Sequence, residues 1–119
     1  MIVLPGGFYM DYIMVTQGKV IQKIKLKDIY YISTVVDKPH MLKIVTKNNC
    51  YEIYGKLKDI QAIAPRVLMR CHRQYLVNLF NVKGINKGNQ QIIFITTSVD
   101  SIKCSRRCLK TVMQTWKNL

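Results

Sequence analysis

The sequence predicts a mainly β fold with one short helix and a longer helix at the C-terminus. Residues 20–26 (VIQKIKL) alternate apolar and polar side chains, which is typical of a half-buried strand. Turn-forming residues at 17–19 and 47–49 separate such runs, as hairpin turns do. Between Cys108 and Trp116, apolar residues recur at helical spacing and form one stripe. At 119 residues, the chain is expected to form one domain over residues 1–119.

The other elements follow from local patterns. Leu57, Ile60 and Ile63 predict a short helix that Pro65 ends. Ser105 is the predicted N-cap of the last helix, because its hydroxyl can accept from an amide that the first turn leaves free. The predicted strands cover residues 8–16, 20–26, 28–33, 41–46, 50–54, 82–86, 91–96 and 99–103, with a loop at 35–40 and a turn at 87–89.

The charge balance is strongly basic and uneven. The chain carries 19 Lys and Arg against 6 Asp and Glu, a formal net charge of +13. Residues 60–119 contain ten of these cations and one acid, Asp100. Such an excess indicates a polyanionic partner, namely nucleic acid, an anionic membrane or an acidic protein. A solvated basic surface is the alternative, and nucleic acid is the partner that the charge favours.

Several function classes find little support. The opening MIVLPGGFYM has no basic region and breaks at Pro5, so it is a poor signal peptide, and no apolar run is long enough to span a membrane. We therefore expect a cytoplasmic protein with reduced cysteines. The four cysteines contain no C-x2-C pair, so we expect no metal and no cofactor. Two histidines, scattered acids and no glycine-rich phosphate loop indicate that the chain is not an enzyme.

The segment 68–78 (LMRCHRQYLVN) is the most informative part of the chain. It concentrates hydrogen-bond donors without an acid and then closes on the apolar run 75–77. Donors anchored by core residues suit the recognition of a polyanion. Cys71 lies in this basic segment, and a basic neighbourhood lowers a thiol pKa, so we also considered Cys71 as an oxidant sensor.

A series of motifs in one order resembles a known family. KLKDIYYIS (25–33) is followed by YGKLKDI (54–60), MRCHRQYLVN (69–78), V-x-x-I (82–85) and SRRCLKTV (105–112). Over residues 12–118 the chain resembles the LytTR DNA-binding domain of bacterial transcription regulators. The R-C-H-x-x-x-L-V-N string and the late Ser-Arg are its specific parts. The resemblance implies an elongated multi-sheet fold that reads the major grooves of double-stranded DNA through loops.

The resemblance also implies roles for individual residues. The base-contacting residues are expected to be His40, Arg73 and Arg106. The phosphate-contacting residues are expected to be Lys38, Lys56, Arg70, His72, Gln74, Ser105 and Arg107. Arg73 and Gln74 stand where the family often carries small or uncharged residues, which leaves sequence preference open. Arginine suits guanine because it offers two parallel donors to O6 and N7.

The resemblance extends to partners and domain organisation. It implies direct-repeat promoter sites and pairing of two protomers as a homodimer on DNA. No receiver domain accompanies the motifs, and residues 1–10 form only a short N-terminal extension, so we expect a stand-alone regulator or an excised domain.

An alternative function remains open, an RNA or single-stranded nucleic-acid binding module on a basic β scaffold. Such modules stack bases on exposed aromatic rings, for which Tyr30, Tyr31, Tyr51 and Tyr54 are the candidates.

Overall fold

The computed structural model describes residues 2–3, 9–10 and 12–119, with side-chain environments from residue 12 onward. Two α-helices are present in these residues, α1 (Leu57–Ile63) and α2 (Arg106–Lys117), with 3-10 turns at Leu26–Asp28 and Leu79–Asn81. The strands are β1 (Ile2–Val3), β2 (Tyr9–Met10), β3 (Tyr12–Gln17), β4 (Val20–Lys25), β5 (Ile29–Thr34), β6 (Met41–Thr46), β7 (Cys50–Tyr54), β8 (Leu68–His72), β9 (Tyr75–Asn78), β10 (Val82–Asn86), β11 (Gln91–Phe94) and β12 (Ile102–Lys103).

These strands form four sheets, which confirms the mainly β, multi-sheet prediction. The largest has five strands in the order β7-β6-β5-β9-β8, and every neighbouring pair is antiparallel. A three-stranded sheet has the order β10-β11-β12, and β1-β2 and β3-β4 are two-stranded. The principal extents are 44 × 39 × 25 Å. Neither helix of the described residues has the length and apolar character that crossing a bilayer requires.

The five-stranded sheet has a hydrophobic core on each face. On one face, Ile32, Ile44 and Leu76 pack with apolar residues of the β3–β4 hairpin and α1. On the other face, Val45 and Val77 pack with residues of the three-stranded sheet and α2. Burial on both faces explains why β5 and β6 are apolar over most of their length rather than strictly alternating. The sheet is therefore a rigid support for the loops at its ends.

Most predicted boundaries agree with the structure. The strands predicted at 41–46, 50–54 and 82–86 and the helix over 57–63 match β6, β7, β10 and α1. The run 8–16 contains β2 and most of β3, and residues 8 and 11 of it lie outside the described part of the chain. Ser105 is the N-cap of α2, since its Oγ accepts from the Cys108 amide at 3.2 Å.

Some strand predictions differ from the structure at their ends. The run 28–33 begins as a strand only at Ile29, because Leu26–Asp28 forms a 3-10 turn. The run 91–96 ends at Phe94, where the next amide turns away and donates to the Asn81 carbonyl at 3.0 Å. The run 99–103 pairs only over Ile102–Lys103.

Two buried asparagines connect the 3-10 turns, and we call them the asparagine pair (Asn78 and Asn81). The Asn78 amide donates to the carbonyls of Leu26 and Ile29, each at 2.9 Å. The Asn81 amide donates to the carbonyls of Lys27 and Ile29 at 2.9 and 2.7 Å. Both side chains are buried, so the asparagine pair supports the fold.

Candidate nucleic-acid interface

Three connections lie at the same end of the five-stranded sheet. Neighbouring strands in the order β7-β6-β5-β9-β8 run in opposite directions. At one end of the sheet, β5, β7 and β8 therefore finish where β6 and β9 begin. The connections at this end are residues 35–40, 55–56 and 73–74. We call these residues, together with 105–107, the loop end of the molecule. All seven phosphate candidates and all three base candidates lie in the loop end or within three residues of it.

The 35–40 loop is closed by backbone hydrogen bonds. The Val35 amide donates to the Met41 carbonyl at 3.3 Å, and the Met41 amide donates to the Lys38 carbonyl at 3.1 Å. The His40 carbonyl accepts from the Gly55 amide at 2.9 Å, which ties this loop to the end of β7. His40 is exposed and has a φ of 64°. That left-handed conformation is strained for a residue other than glycine.

The β8–β9 turn is held by a side chain that precedes it. The Arg70 guanidinium donates from NH1 to the Arg73 carbonyl at 3.0 Å, while the Arg73 side chain itself is exposed. The Gln74 amide donates to Nδ1 of His72 at 3.1 Å, so the neutral His72 ring carries its hydrogen on Nε2. The Thr34 amide donates to the Gln74 carbonyl at 3.0 Å and joins this turn to the start of the 35–40 loop.

Arg70 is only partly exposed, and its Nε is buried without a hydrogen-bond partner among the described residues. Its guanidinium lines a shallow groove of about 320 Å³ together with Lys38, His40, Lys56 and Arg73. The structure therefore gathers five of the ten candidate residues around one depression. A guanidinium held in this way supports the turn and keeps donors directed toward a ligand.

The start of α2 is fixed to the edge strand β8. The Ser105 amide donates to the Cys71 carbonyl at 2.7 Å, one residue before β8 ends. This bond places the exposed Arg106 and Arg107 beside the β8–β9 turn. The first turn of α2 contains no acidic residue, and its leading amides have no carbonyl acceptor within the helix. A helix start of this kind is suited to an anion.

Few of the cations are neutralised within the chain. In the part of the chain from residue 12 onward, the structure has one ion pair, Lys38 Nζ to Glu52 Oε2 at 3.3 Å. Both side chains are about half exposed, so the pair is worth at most about 1 kcal/mol and does not hold Lys38 away from a phosphate.

The oxidant-sensor hypothesis for Cys71 rested on a wrong premise. Cys71 is fully buried, and Cys104 is buried beside it. The hydrogen bond with Cys104, together with burial, raises the pKa of the Cys71 thiol above its ordinary value rather than lowering it. Cys71 packs in the same core as Met69, two residues earlier on β8, while His72 stays partly exposed. No group of three or more His, Cys, Asp or Glu among the residues described could hold a metal ion.

The tyrosines do not form a stacking platform. Tyr30 is buried, and Tyr31 is half-buried and stacks on Phe94 with ring centroids 5.8 Å apart. Tyr51 packs against the core. Tyr54, however, is 80% exposed. The sequence carries a signal for this exposure, because Tyr54 follows core-facing Ile53 and neighbouring strand residues face opposite ways.

Comparison with known proteins identifies the family. The sequence model of the LytTr DNA-binding domain matches residues 19–117. The chain belongs to this LytTr family. A solved LytTr DNA-binding domain from Bacillus cereus has the same fold, with a TM-score of 0.70 and 12% sequence identity over 92% of this chain and 99% of the other.

Transcriptional regulatory proteins also match part of the chain. The transcriptional regulatory protein BtsR of Escherichia coli K12 is 29% identical over 92 residues, which is 76% of this chain and 37% of BtsR. The BtsR of Shigella flexneri matches to the same extent. The chain thus spans well under half the length of these relatives.

Proposed function

We propose that this LytTr domain binds double-stranded DNA with sequence specificity and regulates transcription in a bacterial cytoplasm. His40, Arg73 and Arg106 would contact bases. Lys38, Lys56, Arg70, His72, Gln74, Ser105 and Arg107 would contact phosphates. The observation that carries the proposal is the clustering of exposed donors at one end of a rigid sheet, on connections that hydrogen bonds join to one another.

The two sets of contacts would contribute different quantities. Each well-placed base contact would contribute about 1–3 kcal/mol of discrimination against a wrong base. Phosphate contacts would contribute affinity for any duplex, and that affinity would fall steeply with salt. Exposed Arg73 can present its guanidinium to a guanine edge because Arg70 holds its backbone, which limits the entropy lost on binding.

The target would be a pair of direct repeats in a promoter, occupied by two protomers. A selection from random duplexes with the purified chain would give the operator. Sedimentation of the chain with one-repeat and two-repeat duplexes would then give the stoichiometry. Two protomers on the two-repeat duplex would support pairing, whereas a second protomer that binds no more tightly than the first would argue against a homodimer on DNA.

The decisive experiment is Arg73→Ala, with binding to the selected duplex and to a scrambled duplex measured by fluorescence anisotropy. We expect discrimination between them to fall by about 10–100-fold, because the base contact is lost. Arg66→Ala is the matched control, since Arg66 is exposed, carries the same charge and precedes the opposite end of β8. An equal loss of affinity on both duplexes would show that Arg73 contacts only the backbone.

A further inference from the structure

A second basic groove lies between the β3–β4 hairpin and the β6–β7 turn, and we call it the lysine groove. It has a volume of about 440 Å³. Its cations are Lys23, Lys25, Lys27 and Lys47, and Asp28 is the acid that lines it. None of these cations belongs to the set expected to contact DNA, so the groove is not explained by the proposed function.

The lysines of this groove are exposed, and they are not neutralised within the described chain. Lys23 Nζ lies 4.7 Å from the centroid of the Tyr12 ring, which keeps its charge while fixing its position. Lys25, Lys27 and Lys47 are exposed, and the ion pair of residues 12–119 lies elsewhere, between Lys38 and Glu52. Unpaired ammonium groups that converge on a cleft create a local positive potential, which favours an anionic ligand.

The lysine groove is at the opposite end of the sheet from the loop end. Strand β6 begins at the loop end with Met41 and reaches the groove with Thr46, a span of roughly 17 Å at the rise of a β-strand. A duplex bound at the loop end would have to bend around the sheet to enter the groove. A ligand of the groove would therefore bind separately from the duplex.

We propose that the lysine groove is a docking site for an acidic polypeptide segment. Its cations are all lysines, and lysine cannot form the bidentate hydrogen bonds that an arginine guanidinium makes with phosphate. The Asp28 carboxylate can accept from the backbone N–H of a peptide, a donor that a sugar-phosphate backbone lacks. Asn48 and Asn49 add amide groups that suit a peptide backbone, on a turn fixed by the Thr46 hydroxyl, which donates to the Asn49 carbonyl at 2.9 Å.

The test uses the whole chain and a fluorescein-labelled hexaglutamate peptide, with binding measured by anisotropy at one fixed ionic strength. We expect Lys25→Gln/Lys27→Gln/Lys47→Gln to weaken peptide binding about tenfold. Lys83→Gln/Lys87→Gln/Lys110→Gln is the matched control, because it removes three charges from exposed positions that do not line the groove. We expect the control to weaken binding less than about twofold. Equal weakening by the two variants would show an effect of net charge alone and overturn the proposal.

Two further measurements separate this proposal from the proposed function. A saturating selected duplex should leave the labelled peptide bound, and the groove variant should keep its discrimination between selected and scrambled duplex. Displacement of the peptide by the duplex, or tighter groove-dependent binding of a single-stranded RNA of equal charge, would identify the groove as a nucleic-acid surface and reject the acidic-peptide site. Failure of the duplex to bind at all would count against the proposed function and leave the peptide result to be judged by the variants.

Discussion

The asparagine pair and the loop end use polar side chains in opposite ways. Asn78 and Asn81 are buried and donate to carbonyls on the preceding 3-10 turn, so their hydrogen-bonding capacity is used within the fold. His40, Arg73 and Arg106 are exposed, and their side-chain donors have no protein partner in the hydrogen bonds of the described residues. The asparagine pair therefore contributes to folding stability, whereas the loop end leaves these side-chain donors available for a ligand. Substitutions should therefore separate stability from DNA selectivity.

The largest expected effect is on stability, at the asparagine pair. Asn78→Ala removes two donated bonds and the bond that the side chain accepts from the Phe80 amide at 3.1 Å. All three bonds are lost at a buried position, at about 1 kcal/mol each, so we expect the free energy of unfolding to fall by about 3 kcal/mol in urea denaturation. Asn89→Ala, at an exposed turn, should cost less than about 0.5 kcal/mol. A loss of duplex discrimination by folded Asn78→Ala would contradict the separation of the two regions.

Arg106→Ala should reduce duplex discrimination without reducing stability, the reverse of Asn78→Ala. We expect discrimination between selected and scrambled duplex to fall by about 2 kcal/mol. The free energy of unfolding should stay constant or rise by a few tenths of a kcal/mol, because a cation in the first turn of α2 opposes the helix dipole. Lys110→Ala, on the exposed side of the same helix, should leave discrimination unchanged. A clear loss of stability in Arg106→Ala would mean that this side chain supports the fold.

At His40, stability and DNA selectivity can be separated in one residue, because its backbone is strained while its side chain is exposed. Both His40→Ala and His40→Gly remove the imidazole and should reduce duplex discrimination equally. At a φ of 64°, glycine is free of the strain that alanine meets, so His40→Gly should be more stable than His40→Ala by about 1 kcal/mol. Denaturation of the two variants side by side measures this difference. Equal stabilities would show that the strain at position 40 is negligible.

The smallest effect is expected at the ion pair of the loop end. Glu52→Gln frees Lys38 and removes a carboxylate that repels DNA, so affinity for both duplexes should rise about twofold. Unfolding free energy should change by less than about 0.5 kcal/mol, since the pair is exposed. Asp100→Asn makes the same charge change on a different part of the surface and controls for net charge. A rise for the selected duplex alone would indicate that Glu52 affects base reading.

Local pattern predicted both helices and most of the strands, though not β8 or β9, because burial of side chains follows the strand and helix periods. It failed where a distant residue decides the backbone. Leu26–Asp28 turns because the asparagine pair, about fifty residues later, binds the carbonyls of Leu26, Lys27 and Ile29. The run 91–96 stops early because the amide of Ile95 pairs with Asn81. No neighbouring residue carries that information.

The candidate site shows the same limit. The sequence identified its residue types, but their common location depends on the strand order β7-β6-β5-β9-β8, which is set by long-range pairing. The sequence also suggested a reactive Cys71, whereas the thiol is buried in the core between the five-stranded sheet, the three-stranded sheet and α2. Roles of Arg70 and His72 as internal supports of the β8–β9 turn became visible only from their bonds to Arg73 and Gln74.

The bond from Arg70 to the carbonyl of Arg73 reaches the backbone at position 73 and makes no use of the side chain there. The side chain at position 73 can therefore be exchanged while the hydrogen bond to its backbone is kept. With the base contact proposed for Arg73, related regulators would acquire new operators by changing one codon, without repacking of the turn. A library randomised at position 73 alone would be an economical starting point for redirecting this domain to other promoters.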